Sequence, residues 1–189
     1  MTTDPHPWAL GLDTLHAQVW TLLARGVADR HAAARHPTFA TSSLTGWPEA
    51  RTVVLRAADA GAATLDIHTD ITSAKVAEVR QDPRTTLHIW DPAAHLQIRI
   101  KATATLRSGE DVADIWTRVP DPARQSYGTL PSPGQPIAAA LAYEKAPDLS
   151  TFAVLRCSVQ VLDILHLGPR HRRARFDRAD GWVGQWLAP

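Results

Sequence analysis

Three basic segments carry side chains suited to holding an anion. In Arg51-Thr52-Val53-Val54-Leu55-Arg56 two guanidiniums bracket an apolar run. Read as one strand, Arg51 to Ala57, the segment sets them roughly 17 Å apart and, by parity, on opposite faces. Arginine suits phosphate because its planar fork makes paired, charge-assisted hydrogen bonds; two solvated strand ends are the plain alternative. In His68-Thr69-Asp70, leading into Thr72-Ser73-Ala74-Lys75, a strand runs out and a helix begins with two hydroxyls and an ammonium. Helix N-termini attract anions, whereas a lysine there opposes the helix dipole unless an anion intervenes. Thr72 as a simple N-cap with Lys75 in solvent competes with that reading. The third segment is Arg170-His171-Arg172-Arg173-Ala174-Arg175, where Arg173 and Arg175 share a strand face. Its charges repel unless an anionic ligand, or neighbouring Asp177 and Asp180, compensates them.

Other chemistry is poorly represented. The chain has no phosphate-binding loop, dinucleotide fingerprint, zinc-protease helix or serine-nucleophile elbow. His88 and His95 lack a third ligand at useful spacing, so no metal site is expected. Cys157 is the single cysteine and reads as a small core residue. A formal net charge of +1 argues against a dedicated nucleic-acid binder. No apolar run approaches the ~18 residues needed to cross a bilayer. The N-terminus, Met1 to Trp8, is polar and carries Asp4, unlike a secretory leader, so a cytoplasmic location is expected. With 44% hydrophobic and 21% charged residues, 189 residues suit one globular domain.

The elements that must position these residues follow from periodicity. Leu12, Leu15, Val19, Leu22 and Leu23 recur at helical spacing, predicting a helix over Leu12 to Arg35. Strands are expected at Thr38 to Ser42, Ala63 to Thr69, Arg84 to Trp90 and, most clearly, Leu96 to Leu106. A short helix, capped by Thr72 or Ser73, runs to Arg80. Ser108 with Asp111 resembles a capping box for a helix burying Val112, Ile115, Trp116 and Val119. Pro120 to Pro136, with five prolines and two glycines, reads as a loop, followed by an Ala-rich helix over about Pro136 to Tyr143. Phe152 to Leu165 is a strand with Ala153, Leu155, Cys157, Val159 and Val161 inward. Arg170 to Arg178 and Trp182 to Leu187 pair around Ala179-Asp180-Gly181. Strands follow one another without β-α-β alternation, which predicts an α+β fold: an antiparallel barrel with peripheral helices.

In this order the segments resemble the pyridoxamine 5′-phosphate oxidase-like, FMN-binding split-barrel family. The carriers are Arg51 to Arg56, His68-Thr69, Ser73-Ala74-Lys75, Asp82-Pro83, Gln97-Ile98-Arg99-Ile100, His171 to Phe176 and Trp186-Leu187-Ala188-Pro189. The resemblance implies a split β-barrel homodimer with FMN at the dimer interface. It assigns Arg51, Lys75, Thr69 and Ser73 to the FMN phosphate. Val53, Val54 and Leu55 run along the flavin ring with His68 adjoining, Gln97 bonds the ring, and Arg175 reaches it from the partner subunit. Arg56, His171, Arg172 and Arg173 fall where the family holds its substrate.

Departures from the family pattern separate cofactor from activity. Ala74 replaces a phosphate-binding arginine, Leu165 a tryptophan beside FMN, and Arg56 a substrate lysine. The substrate tyrosine falls near Ile115-Trp116, and a Gln-Ser pair is blurred into Ser132-Pro133-Gly134-Gln135. The expected function is an FMN-dependent oxidoreductase acting on a small molecule, with no side chain required as acid or base because the flavin carries the chemistry. A flavin- or haem-binding protein without turnover is the alternative.

Overall fold

The computed structural model describes residues 5–189. The expectation that the chain begins without a leader therefore lies, for Met1 to Asp4, outside the described residues. Eleven strands and four α-helices are present among them. They are β1 (Thr38–Ser42), β2 (Pro48–Thr52), β3 (Leu55–Asp59), β4 (Thr64–Asp70), β5 (Arg84–Asp91), β6 (Leu96–Ser108), β7 (Thr129–Leu130), β8 (Glu144–Lys145), β9 (Phe152–His166), β10 (Arg172–Asp177) and β11 (Gly184–Leu187), with α1 (Leu12–Ala28), α2 (Ala74–Gln81), α3 (Ala113–Arg118) and α4 (Asp121–Arg124). None of these helices is long and apolar enough to cross a membrane.

Nine strands form one antiparallel sheet in the order β11-β10-β9-β6-β5-β1-β2, while β4 and β3 branch from β9. The branch is possible because β9 is long. One edge pairs with β6 throughout; the other pairs first with β4, over 152–158, and then with β10, over 161–166. The split is thus written into a single strand. No hydrogen-bonded ladder closes the sheet into a complete barrel among the described residues.

A bulge changes which residues of β9 face the core. Lys101 pairs with Val161 and Ala102 with Val159, leaving Gln160 extra and exposed. One added residue reverses the alternation. Ala153, Leu155, Cys157 and Val159 point inward as expected, but Val161 does not; Leu162 and Ile164 take the buried positions beyond it. On β6 the expected alternation holds, with Leu96, Ile98 and Ile100 fully buried.

The predicted helix over Leu12 to Arg35 ends at Ala28. Gly26 explains the early stop: a Cβ there would lie 2.6 Å from the Ala34 carbonyl carbon, so only glycine lets the chain fold back this closely. Arg35 then satisfies carbonyls left open at the helix end. Its Nη1 donates to Val27 O at 2.9 Å and to Leu55 O at 3.2 Å, tying α1 to β3. The capping box at Ser108 does not form; a 3₁₀ turn over Gly109–Val112 precedes α3, and Ser108 makes no cap bond. Val112, Ile115, Trp116 and Val119 nevertheless pack together, against Tyr127, Phe152 and Val154. The Ala-rich helix over Pro136 to Tyr143 is absent. Its residues are exposed and irregular, linking the two-stranded β7–β8 pair, because no apolar face is available to stabilise so short a helix.

Candidate functional site

The expected single strand from Arg51 to Ala57 is two strands broken at Val53 and Val54. Val53 N–H makes the last bond along the β1–β2 pairing, to Pro37 O at 3.0 Å, and a bulge falls at Arg56 between Leu55 and Ala57. The break and the bulge undo the parity argument. Arg51 and Arg56 line the same cleft, of about 280 Å³, with Val53, Val54, His68, Thr69 and Lys75. Leu55 does not join them: it is fully buried in the core, and its carbonyl accepts from Arg35.

The basic end of this cleft is built at the start of α2. Lys75 Nζ donates to Thr69 Oγ1 at 3.1 Å, and Thr69 Oγ1 lies 3.1 Å from Ser73 Oγ. Ser73 is the N-cap position, but neither it nor Thr72 caps the helix as expected. Ser73 Oγ donates backward to Asp70 O at 2.7 Å. Thr72 donates to Asp70 Oδ1 through both its N–H, at 2.8 Å, and its Oγ1, at 2.6 Å. The first-turn N–H groups of α2 therefore keep no side-chain acceptor of their own. Asp70 Oδ2 also accepts Gly128 N–H at 2.8 Å, fixing the loop that brings Ser126 and Tyr127 to the cleft wall. Gly128 has φ +88°, and an added Cβ would sit 1.9 Å from Ala146 O, so this close crossing demands glycine.

The two cations at this end are held differently. Arg51 Nη2 donates to Glu78 Oε2 at 2.8 Å, its Nη1 donates to Thr41 Oγ1, and Thr41 Oγ1 donates to the same Glu78 oxygen at 2.5 Å. Glu78 is 5% exposed, so this carboxylate is compensated within the protein and fixes the guanidinium. Lys75 has no carboxylate within ion-pair distance among the described residues. Burial first, then the Arg51 charge, lowers its pKa, while Asp70 and Glu78 pull the other way.

At the other end, Arg56 Nε and His68 Nδ1 are buried without hydrogen-bond partners. Burial, with Arg56 adding to it, pushes the His68 imidazole down to about 4, so it is neutral near pH 7. Its ring stands edge-on to Phe152 at 5.0 Å. Buried polar atoms without partners are uncommon in folded proteins. Two on neighbouring side chains of one cleft fit a ligand that would complete them.

The remaining expected residues lie elsewhere. Gln97, paired in register with Trp90 and Leu165, does not line this cleft. Arg175 forks onto Asp177, with both contacts at 2.7 Å. Arg173 forks onto Asp163 at 3.1 and 2.9 Å, and Asp163 also accepts from Arg99 at 2.7 Å. His171, Arg172 and Arg173 line a separate cleft of about 360 Å³ with Leu10 and Trp186, away from Arg56. Sequence reasoning missed Thr41, Glu78, Asp70, Ser126 and Tyr127. Only the Asp70-Ile71-Thr72 turn had a local signal, an Asp whose carboxylate caps two residues on.

Residues 17–108 match the sequence model of the family described as pyridoxamine 5′-phosphate oxidase, FMN-binding domain. No curated protein matches the chain by sequence. Among solved structures, a pyridoxamine 5′-phosphate oxidase-related, FMN binding protein from Nostoc punctiforme is 26% identical, with 100% of each chain covered and a TM-score of 0.76. PhzG from Burkholderia lata, solved in complex with tetrahydrophenazine-1-carboxylic acid, is 18% identical, with 100% of this chain and 98% of its own covered and a TM-score of 0.73. A protein related to general stress protein 26 from Clostridium acetobutylicum is 11% identical, covering 89% and 97%, with a TM-score of 0.59. The last two likenesses are of fold alone.

Proposed function

We propose that this chain, a member of the pyridoxamine 5′-phosphate oxidase-like family, is an FMN-dependent oxidoreductase acting on a small molecule. The observation that carries the reading is Lys75: a half-buried ammonium beside Arg51, at a helix start, with hydroxyls around it and no carboxylate on it. Lys75, Arg51 and Thr69 would hold the FMN phosphate, with Ser73 setting the Thr69 hydroxyl. Val53 and Val54 offer the apolar surface for the ring, and the strand break at this point frees backbone groups to meet it. When bound, the flavin supplies hydride-accepting and hydride-donating chemistry. The protein's share is to bind, orient and exclude water.

A cleft of about 280 Å³ is at the lower edge of the ~300–1,000 Å³ usual for ligand pockets, which suits half a site. The reading therefore includes a homodimer with FMN at its interface, where Gln97 and Arg175 reach the flavin as the family resemblance assigns them. Exposed apolar side chains between β7 and β8, Ile137, Leu141 and Tyr143, are consistent with a segment that lies against a second copy.

The test begins with colour. Purified protein mixed with FMN is expected to show flavin bands that shift on binding and bleach when a suitable reductant, such as reduced nicotinamide, is added. Protein that leaves the FMN spectrum and fluorescence unchanged would remove the reading. Flavin that binds without turnover over a broad substrate panel would make the chain a carrier.

A further inference from the structure

Arg51 stands directly opposite Phe39 across the β1–β2 pairing, and Phe39 is fully buried. Residues opposite one another share a sheet face. The guanidinium therefore sets out from the inward side, where a charge needs compensation. Its counter-charge comes from α2. Glu78 and Lys75 lie three residues apart on that helix, a spacing that lets an acid and a base pair. They do not pair here. Glu78 Oε2 accepts from Arg51 Nη2 at 2.8 Å and from Thr41 Oγ1 at 2.5 Å, and Lys75 is left to the Thr69 hydroxyl. Thr41 is diagonal to Arg51 in the strand register and accepts from its Nη1. A hydroxyl has one proton, and Thr41 gives it to Glu78, so this ring of three side chains has a single sense of donation. Both terminal nitrogens of Arg51 are tied, which sets the plane of the guanidinium before any ligand arrives. Arg51 lines the cleft; the buried Glu78 and Thr41 do not, so they reach a ligand only through it.

We propose that Glu78 is a positioning residue for phosphate recognition: with Thr41 it aims Arg51, and by leaving Lys75 unpaired it holds two cations ready on one cleft. That the phosphate belongs to a flavin rests on the proposed function; the positioning rests on the ring. Two cations so placed repel one another. Burial, then the Arg51 charge, lowers the Lys75 pKa, while Asp70 and Glu78 oppose them. A guanidinium already immobilised loses little freedom on meeting a phosphate, whereas a loose one must be ordered at the moment of binding. Two other roles for Glu78 predict different outcomes. A merely structural ion pair would affect stability and leave the flavin preference alone. An acid acting only by its field would repel the phosphate, so removing its charge would tighten FMN binding.

The experiment uses the full-length protein with FMN and riboflavin, which differ by the phosphate. Thr41→Val breaks the ring without changing any charge, and Thr41→Ser keeps the hydroxyl. Thr41→Val is expected to weaken FMN binding about three- to tenfold, the cost of ordering one loose arginine, with riboflavin affinity unchanged. Thr41→Ser should return most of the FMN preference, and Glu78→Gln should weaken FMN binding at least as much as Thr41→Val. Nitrogen-15 NMR of the ligand-free protein should show slow rotation of the Arg51 guanidinium, and faster rotation in Thr41→Val. Free rotation in the wild type overturns the proposal. So does a preference for FMN that Thr41→Val leaves unaltered, or FMN binding that tightens in Glu78→Gln. A protein that prefers neither flavin, yet whose Arg51 resonances respond to inorganic phosphate and respond less in Thr41→Val, would sink the flavin reading and leave the positioning role standing.

Discussion

The cleft at β2, β3 and α2 and the basic strand β10 look alike as sequence, since each is a run of cations among apolar residues. In the folded chain they are opposites. On β10, Arg173 and Arg175 spend their forks on Asp163 and Asp177, and Arg99 comes across from β6 to share Asp163. In the cleft, Lys75 bonds a hydroxyl and meets no carboxylate within ion-pair distance among the described residues. The lesson concerns counter-charges rather than charges. A basic residue whose acids are elsewhere, like Lys75, speaks for a ligand; one with an adjacent acid is first of all held in place by it, as Arg51 is by Glu78.

The contrast can be broken most forcefully at Lys75. Lys75→Met should weaken FMN binding by about tenfold to a hundredfold, equivalent to ~1.5–3 kcal/mol for a charge-assisted contact, with little change in urea midpoint. Fluorescence quenching of FMN measures the first and circular dichroism the second. Equal FMN affinity in both proteins would erase the distinction between the regions.

Acid titration separates the regions by pH. The folded pKa of His68 lies near 4, below its unfolded value, so the unfolded chain binds the extra proton. Its contribution is fully present above about pH 6.5 and is lost as pH falls toward 4, a change of order 2–3 kcal/mol. Asp163 behaves differently. Burial raises its pKa, but hydrogen bonds from Arg173 and Arg99 outweigh that and leave it lowered. Its contribution persists through the His68 window and fades only as pH drops below the ordinary carboxylate value, about 3.9. His68→Phe should flatten the stability slope between pH 6.5 and 4 in urea titrations, and an unaltered slope would contradict the assignment.

Asp163→Ala probes the structural region directly. It strands Arg99 and Arg173 together and should cost about 1–2 kcal/mol, between the ranges for surface and buried pairs, while FMN affinity stays nearly constant. The smallest effect is expected from Arg175→Ala. Its pair with Asp177 is half exposed, so stability should fall by less than about 1 kcal/mol. FMN affinity should drop a few-fold at most, because Asp177 already takes Nε and Nη2 and leaves Nη1 alone to reach the flavin. A loss as large as that in Lys75→Met would make Arg175 as strong an FMN contact as Lys75 and break the contrast.

Much of this arrangement was legible beforehand, and the exceptions share a cause. The alternation on β6, the hydroxyl-lysine cluster at Thr69 to Lys75 and the apolar stripe of α1 are local patterns, and they survive folding intact. What could not be read depended on one-residue events or distant partners. Gln160 adds a residue and turns Val161 outward; the Val53–Val54 break and the Arg56 bulge bring Arg51 and Arg56 into one cleft. Glu78, three residues beyond Lys75, gave no sign that it would meet Thr41 and Arg51 across the sheet. The Ala-rich stretch from Pro136 to Tyr143 shows the reverse error, helix propensity without a surface to pack on.

The central claim is that the cleft at Lys75 recognises a phosphorylated flavin, and FMN compared with riboflavin tests it most directly. Titrating both into the protein and following flavin fluorescence should give FMN binding at least about tenfold tighter than riboflavin, the worth of charge-assisted phosphate contacts. That preference should collapse in Lys75→Met. Equal affinity for the two flavins, or no binding of either, would contradict the account.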